Sequence, residues 1–255
     1  MTTTDKRTAE SDLTIPTENI KRLKVTTTTN VAHHAGLINT YPEDTKEATT
    51  AAAAPADALP KNECIVGRPA PTFSVPAVME DGSISTVSLD QFKDRYLVLV
   101  FYPADFTFVC PTEITSFSDQ ASRFASLNCS VVVCSTDSEF VHYNWRQQAR
   151  KDGGIGQIVV PMLADRTRTM SHSYGVLCEE SGQAFRGLFV IDGKQVVRIA
   201  QVNDMPIGRS VDETLRLVSA LKHTDEHGQV CPANWRAGDA AIEPEIQKSK
   251  AFFKA

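Results

Sequence analysis

Tyr96-Leu-Val-Leu-Val-Phe101 is an unbroken apolar run of strand length, and it limits the possible folds more than any other feature of the chain. Alternation would mark a strand with one wet face, whereas a continuous run marks a strand covered on both faces. Ser130-Val-Val-Val-Cys-Ser135 predicts a second such strand. Between them Ile114, Phe117, Ala121 and Phe124 recur at helical spacing, so one helix is predicted to join the two. A strand-helix-strand unit of this kind has parallel strands and a right-handed crossover. Further on, Gly187–Asp192 and Val196–Gln201 read as strands separated by a short hairpin turn at Gly193-Lys194. Ser210 and Glu213 have capping-box spacing. Behind them Val211, Leu215, Val218 and Leu221 form one helical face, with Lys222 near the negative helix end.

Parallel strands followed by a hairpin predict an α/β protein with a mixed central sheet and helices on both faces, the thioredoxin-like arrangement. This texture begins near residue 61. Residues 1–60 are rich in Thr and Ala, with few and unperiodic large apolar residues. Such a segment buries too little apolar area to offset its ordering entropy, so a disordered N-terminal extension is expected. It mixes Asp5, Glu10, Asp12 and Glu18 with Lys6, Arg7, Lys21 and Arg22, a poor match to a mitochondrial presequence. Neither a secretory signal nor a membrane-length apolar stretch is read in the chain. With a formal net charge of -5, nucleic acid is not an expected partner. A cytoplasmic setting is expected, with the mitochondrion as the alternative.

Six cysteines, at 64, 110, 129, 134, 178 and 231, are too sparse for a disulfide-stapled scaffold and contain no Cys-x-x-Cys pair. No metal or cofactor is implied. A lone cysteine ordinarily behaves as a small hydrophobe, and Cys129 and Cys134 are read that way beside their apolar strand. Cys64 and Cys178 have loop-like neighbours and are read as incidental. Cys110 differs because it lies where the buried strand gives way to the helix, at the carboxyl end of a sheet strand. Pro111 suits a first helical turn, which puts Cys110 at or next to the N-cap. Unpaired backbone N–H groups and the positive helix end there favour thiolate, the nucleophilic form.

The segment Phe101-Tyr-Pro-Ala-Asp-Phe-Thr-Phe-Val-Cys110-Pro-Thr-Glu113 closely resembles the active-site signature of the typical 2-Cys peroxiredoxins. Supporting stretches follow in order: Val66–Pro71, Ala184–Phe189, Asn203–Ser210 and His227–Trp235. The resemblance implies a thiol peroxidase that reduces hydrogen peroxide and organic hydroperoxides. Cys110 would attack peroxide and become a sulfenic acid. Thr107 would hold the peroxide and hydrogen-bond the thiolate, Arg186 would keep the sulfur ionised and polarise the O–O bond, and Pro103 would wall out water. Glu113 and Arg209 would orient Arg186.

The resemblance also makes residues 61–222 the peroxidase domain and 223–255 a C-terminal arm carrying the resolving residue, Cys231. Its disulfide with Cys110 would join two subunits, with Trp235 as an interface anchor and thioredoxin or a similar dithiol as reductant. The implied partners are a second copy in a head-to-tail homodimer, rings of five dimers, and sulfiredoxin. Gly153-Gly-Ile-Gly156 and Phe252-Phe253 resemble elements of easily over-oxidised members, with Ile and Phe replacing the usual Leu and Tyr. The lost Tyr hydroxyl implies intermediate sensitivity. A holdase chaperone or a redox-signalling relay is the alternative function. A thioredoxin-like disulfide exchanger would need a cysteine where Glu113 stands.

Overall fold

A computed structural model describes residues 64–254 of the chain. The expected disordered extension, 1–60, lies outside the described residues. Four segments open the fold: β1 (Ser74–Val78), β2 (Ile84–Ser88), β3 (Tyr96–Phe101) and α1 (Cys110–Asp119). Next come α2 (Ala121–Ser126), β4 (Cys129–Ser135), α3 (Glu139–Gln147), β5 (Met162–Ala164) and α4 (Thr169–Ser173). The short strands β6 (Leu177–Cys178) and β7 (Gln183–Ala184) precede β8 (Arg186–Ile191) and β9 (Val197–Asn203). Helices α5 (Val211–His227) and α6 (Ser249–Phe252) complete the set.

Seven strands form one sheet in the order β2-β1-β5-β4-β3-β8-β9. Strands β3, β4 and β5 are parallel, and the remaining pairs are antiparallel. The apolar run in β3 divides by the two-residue period of a strand. Val98 and Val100 enter a core with Ile114, Phe117, Phe124, Leu215 and Val218, under α1, α2 and α5. Leu97, Leu99 and Phe101 enter the opposite core with Leu89, Met170 and Tyr174, which α4 covers in part. This is the mixed sheet with helices on both faces that the sequence predicts.

Several local expectations need correction. The single helix between β3 and β4 is two, broken at Gln120 (φ -101°, ψ 7°). In the preceding turns the Thr115 and Ser116 hydroxyls donate to the Pro111 and Thr112 carbonyls, a back-bonding that bends helices. Phe117 and Phe124 nevertheless stay in contact across the break, tilted by 33° with ring centroids 6.1 Å apart. Only half of the capping box forms. The Ser210 hydroxyl accepts from the Glu213 N–H, but the Glu213 carboxylate turns to Arg216 at 2.7 Å. Helix α5 runs on to His227 and is capped by Gly228 in the left-handed region (φ 69°), so the arm leaves at Gly228 and not at 223. Lys222 pairs with Glu226 and does not reach the helix end. Cys178 belongs to a two-stranded hairpin, not a loop. Beyond Gly193-Lys194, the turn between β8 and β9 includes Gln195 in the left-handed region (φ 63°), and β9 starts at Val197.

Candidate active site

β3 ends at Phe101, and after eight intervening residues α1 begins with Cys110 as its first residue. The N-cap, Val109, supplies no side-chain acceptor, and Pro111 follows in the first turn, as predicted. The loop between is held from below. Tyr102 donates its hydroxyl to Asp105 Oδ1 at 2.7 Å, and His142 Nδ1 lies 2.8 Å from Asp105 Oδ2. The other ring nitrogen of His142 faces the Leu163 carbonyl at 3.1 Å, so this contact reaches β5. Asp137 accepts the Asp105 N–H at 2.9 Å. Burial pushes the Asp105 carboxyl up, against the opposing effect of its bonds to His142 and Tyr102. Asp105 and His142 were missed as site-supporting residues. Asp105 stands inside the signature, and nothing local in the sequence marks His142.

Glu113 follows Cys110 by three positions, and on a helix this places both on one face. Arg186 is the first residue of β8, the antiparallel neighbour of β3, so the sheet register carries it to the end of β3 where α1 starts. Its Nη1 lies 3.4 Å from the Cys110 sulfur and 2.6 Å from Glu113 Oε2, and its Nε donates to the Met205 carbonyl at 2.5 Å. Arg209, just before the α5 N-cap, donates its backbone N–H and Nε to Glu113 Oε1 at 2.8 Å, and its Nη2 to Oε2 at 3.0 Å. Its Nη1 bonds the carbonyls of Phe101 and Gly187, which locks it to β3 and β8. Cys110, Glu113, Arg186 and Arg209 are all buried.

This cluster has a charge logic. Two guanidinium groups face one carboxylate, which leaves one positive charge without an acidic partner in a desolvated setting. The Cys110 sulfur lies against that surplus charge.

Thr107 is placed differently from expectation. Its hydroxyl donates to the Ala104 carbonyl at 2.8 Å, so its single proton is already engaged and is not donated to the sulfur. Pro103 is buried in the same loop. Cys231 is half-buried against the far half of α5, its sulfur 3.6 Å from the Ala220 carbonyl and 3.8 Å from the Thr224 hydroxyl. Arg209 marks the active-site end of that helix, and Ala220 lies roughly 15 Å along it. Trp235 is not a free interface anchor: it is 3% exposed, and its ring packs on His223 of α5 in the same chain. Among the other cysteines, burial pushes the Cys129 thiol up to about 12 and the Cys134 thiol well above its ordinary value. The Cys178 thiol is held below its ordinary value, chiefly by the Ser181 hydroxyl.

The AhpC/TSA family model matches residues 66–200, and a model for the C-terminal domain of 1-Cys peroxiredoxin matches 220–254. Peroxiredoxin-2 of Bos taurus is 55% identical over 188 residues, 74% of this chain and 94% of the relative. The chain belongs to the AhpC/TSA family of peroxiredoxins. It is a thiol peroxidase, an oxidoreductase of antioxidant function. Peroxiredoxin-1 of Gallus gallus is 47% identical over 195 residues, 76% of this chain and 98% of the relative. The crystal structure of the reduced 2-Cys peroxiredoxin of Plasmodium vivax is similar with a TM-score of 0.74 and 38% identity. That match covers 76% of this chain and all of the other, and it shares the thioredoxin-like fold. The mitochondrial 2-Cys peroxiredoxin of Plasmodium falciparum has a TM-score of 0.63 at 38% identity, covering 66% of this chain and 99% of that one.

Proposed function

We propose that this peroxiredoxin reduces hydrogen peroxide and organic hydroperoxides by a two-cysteine cycle between subunits. The Cys110 thiolate attacks one peroxide oxygen. A sulfur–oxygen bond forms, the O–O bond breaks, and the departing oxygen leaves with a proton as water or alcohol. The observation that carries this reading is the Arg186 guanidinium 3.4 Å from the Cys110 sulfur, aimed by the buried Glu113–Arg209 pair. A preorganised charge beside the reacting sulfur stabilises both the thiolate and the negative charge that grows on the leaving oxygen. A forked, permanently ionised group suits contact with sulfur, carboxylate and a carbonyl at once. Thr107 and Pro103 shape the pocket that receives the peroxide.

The sulfenic acid then condenses with the Cys231 thiol of a second copy, forming a disulfide and releasing water. A dithiol such as thioredoxin restores both thiols. The placement of Cys231 supports transfer between copies, since a disulfide needs Cα atoms within about 7 Å and α5 holds Cys231 well away from Cys110. A homodimer is supported by β9, whose outer edge has no strand partner among the described strands and is bridged only at its start, where Val197 exchanges backbone bonds with Gly67 and Arg68. Exposed Phe106 and Phe108 on the active-site loop supply apolar surface for further assembly into rings. Free thiols throughout the described residues suit a reducing compartment such as the cytosol. Over-oxidation to a sulfinic acid, reversible by sulfiredoxin, is the competing fate of Cys110, for which 2-Cys peroxiredoxins are the general precedent.

The test is a non-reducing gel of the reduced protein after one equivalent of hydrogen peroxide, with Cys110→Ser and Cys231→Ser alongside. Wild type is expected to become a covalent dimer and neither variant to do so. Oxidation of Cys110 in a wild type that stays monomeric would replace this cycle with a one-cysteine or in-chain mechanism.

A further inference from the structure

His223 sits at a junction that the peroxide site does not use. It lies on the penultimate turn of α5, and its ring packs on Trp235 of the arm with centroids 4.9 Å apart. Its Nε2 is 3.0 Å from Gln229 Oε1, and the Gln229 amide donates in turn to Glu243 Oε1 at 2.8 Å. That chain of contacts spans the arm on both sides of Cys231. The arm is closed behind it by a reciprocal pair of backbone bonds between Val230 and Ile242, both 2.9 Å. On its own helix His223 stacks on His227 at 4.3 Å with 18° between the rings. Arg216, nearer the start of α5, donates to the Trp235 carbonyl at 3.0 Å. Cys231 is thereby held against Ala220 and Thr224. A thiol packed this way has to leave its seat before it reaches a sulfur on another subunit.

We infer that His223 is a positioning residue for the resolving step, and that its charge sets how firmly α5 retains the arm carrying Cys231. The inference rests on the proposed role of Cys231. The acceptor on Gln229 fixes the Nε2 proton, because the Gln229 amide is already turned to Glu243. Adding a second proton makes the ring an imidazolium packed at 40° against an indole, its centroid 4.9 Å away and within cation–π range. The groups around it fit a single positive charge. On the arm these are Glu243, reached through Gln229, Cys231, and Asp239, whose carboxylate accepts the Arg236 N–H. On α5 they are Lys222 and Glu226, paired with each other, the Arg216–Glu213 pair, and His227. Asp225 is engaged with Tyr96 and Arg198.

Histidine changes charge between about pH 5 and 8. Acid therefore tightens the seat, slows disulfide formation and lengthens the life of the Cys110 sulfenic acid. Peroxide then has longer to carry it to the sulfinic acid. His223 acts on the second half of the cycle and leaves the first half unchanged.

The experiment is a single turnover of full-length protein with one equivalent of hydrogen peroxide at pH 5.5, 6.5 and 7.5. Sulfenic acid is trapped with dimedone, and the Cys110–Cys231 bond is counted by mass spectrometry at timed intervals. Wild type is compared with His223→Phe, which keeps a ring on Trp235 without charge, and with His223→Gln, which keeps a neutral donor for Gln229. The sulfenic acid should form at the same rate in all three. The ratio of resolution rates, variant over wild type, should rise by about two- to five-fold from pH 7.5 to 5.5, the size of an exposed cation–π contact. A ratio flat with pH in both variants overturns the role of His223. Absence of any Cys110–Cys231 bond in wild type, with sulfenic acid still trapped, overturns the two-cysteine reading and this inference with it.

Discussion

Glu113 accepts three hydrogen bonds from Arg209 and one from Arg186, so its two oxygens meet four N–H groups in a site closed to water. Arg209 is tied further to the carbonyls of β3 and β8, which makes it a fixed post for Glu113. Arg186 is the end of the chain of charges that meets the sulfur, and its fork serves three acceptors at once: sulfur, carboxylate and the Met205 carbonyl. An ammonium group has no planar fork and serves fewer of them from one position. Arg186→Lys is therefore expected to lower the second-order rate with hydrogen peroxide by about 100-fold, typical of losing one preorganised donor. Stopped-flow oxidation of Cys110 measures it, and a rate within a few-fold of wild type would remove Arg186 from the reacting centre. Cys110 was legible from its place between a buried strand and a Pro-marked helix start, whereas Glu113 was pointed to by the family resemblance. Arg186 and Arg209 reach the site through strand pairing, which no local pattern encodes, and only the family resemblance pointed to them. The hydroxyl of Thr107 went elsewhere for a local reason: the turn of its own loop presents the Ala104 carbonyl first.

The loop that carries Cys110 depends on contacts between elements. Asp105, His142 and Tyr102 tie it to α3 and β5 in a setting where His142 is fully buried. Both ring nitrogens of His142 face oxygens, so the set needs either two N–H groups on the ring or one N–H there and an O–H on Asp105. Loss of a proton leaves two lone pairs facing each other, which is costly without water. The folded state holds the Asp105 proton to higher pH than the unfolded chain does, because burial raises that carboxyl above its ordinary 3.8. Its contribution to stability is complete below 3.8 and is lost as pH rises through the folded value. Asp105→Asn keeps the shape and an N–H toward His142 but does not titrate. The stability difference, wild type minus Asp105→Asn, should fall as pH rises from 4.5 to 7 in urea unfolding at fixed protein concentration. A difference that grows over that range would mean that the carboxylate form is the favoured one. The main elements were legible, β3, β4 and β8 from apolar runs and α5 from helical period. The break at Gln120 and the half-formed capping box were not, since each turns on which of two nearby partners a side chain chooses. Strand β5, only three residues long, takes its place between β1 and β4 from long-range pairing alone.

For the molecule as a whole, Cys110 starts α1 while Cys231 packs on the far half of α5, and the cycle proposed for them needs a second copy. β9 offers the surface for it, an edge strand bridged at Val197 by Gly67 and Arg68 and free beyond it among the described strands, with Ala200 exposed near the middle of that free stretch. In an antiparallel pairing of two identical strands about a two-fold axis, the central residue faces itself. Like charges placed directly opposite destabilise such a pair. Ala200→Glu is therefore expected to shift the protein toward monomer in sedimentation velocity, while the fold, buried on the β8 side of the strand, remains. The chemistry should then divide. Cys110 lies in a site built from one chain, so sulfenic acid should still form at the wild-type rate. Cys231 of a partner is no longer at hand, so the disulfide should form slowly and with dependence on protein concentration, and excess peroxide should drive Cys110 to sulfinic acid. If a monomeric Ala200→Glu protein closes its disulfide as fast as wild type, the resolving thiol comes from the same chain. Helix α5 must then release the arm much farther than the seat at Ala220 and Thr224 suggests.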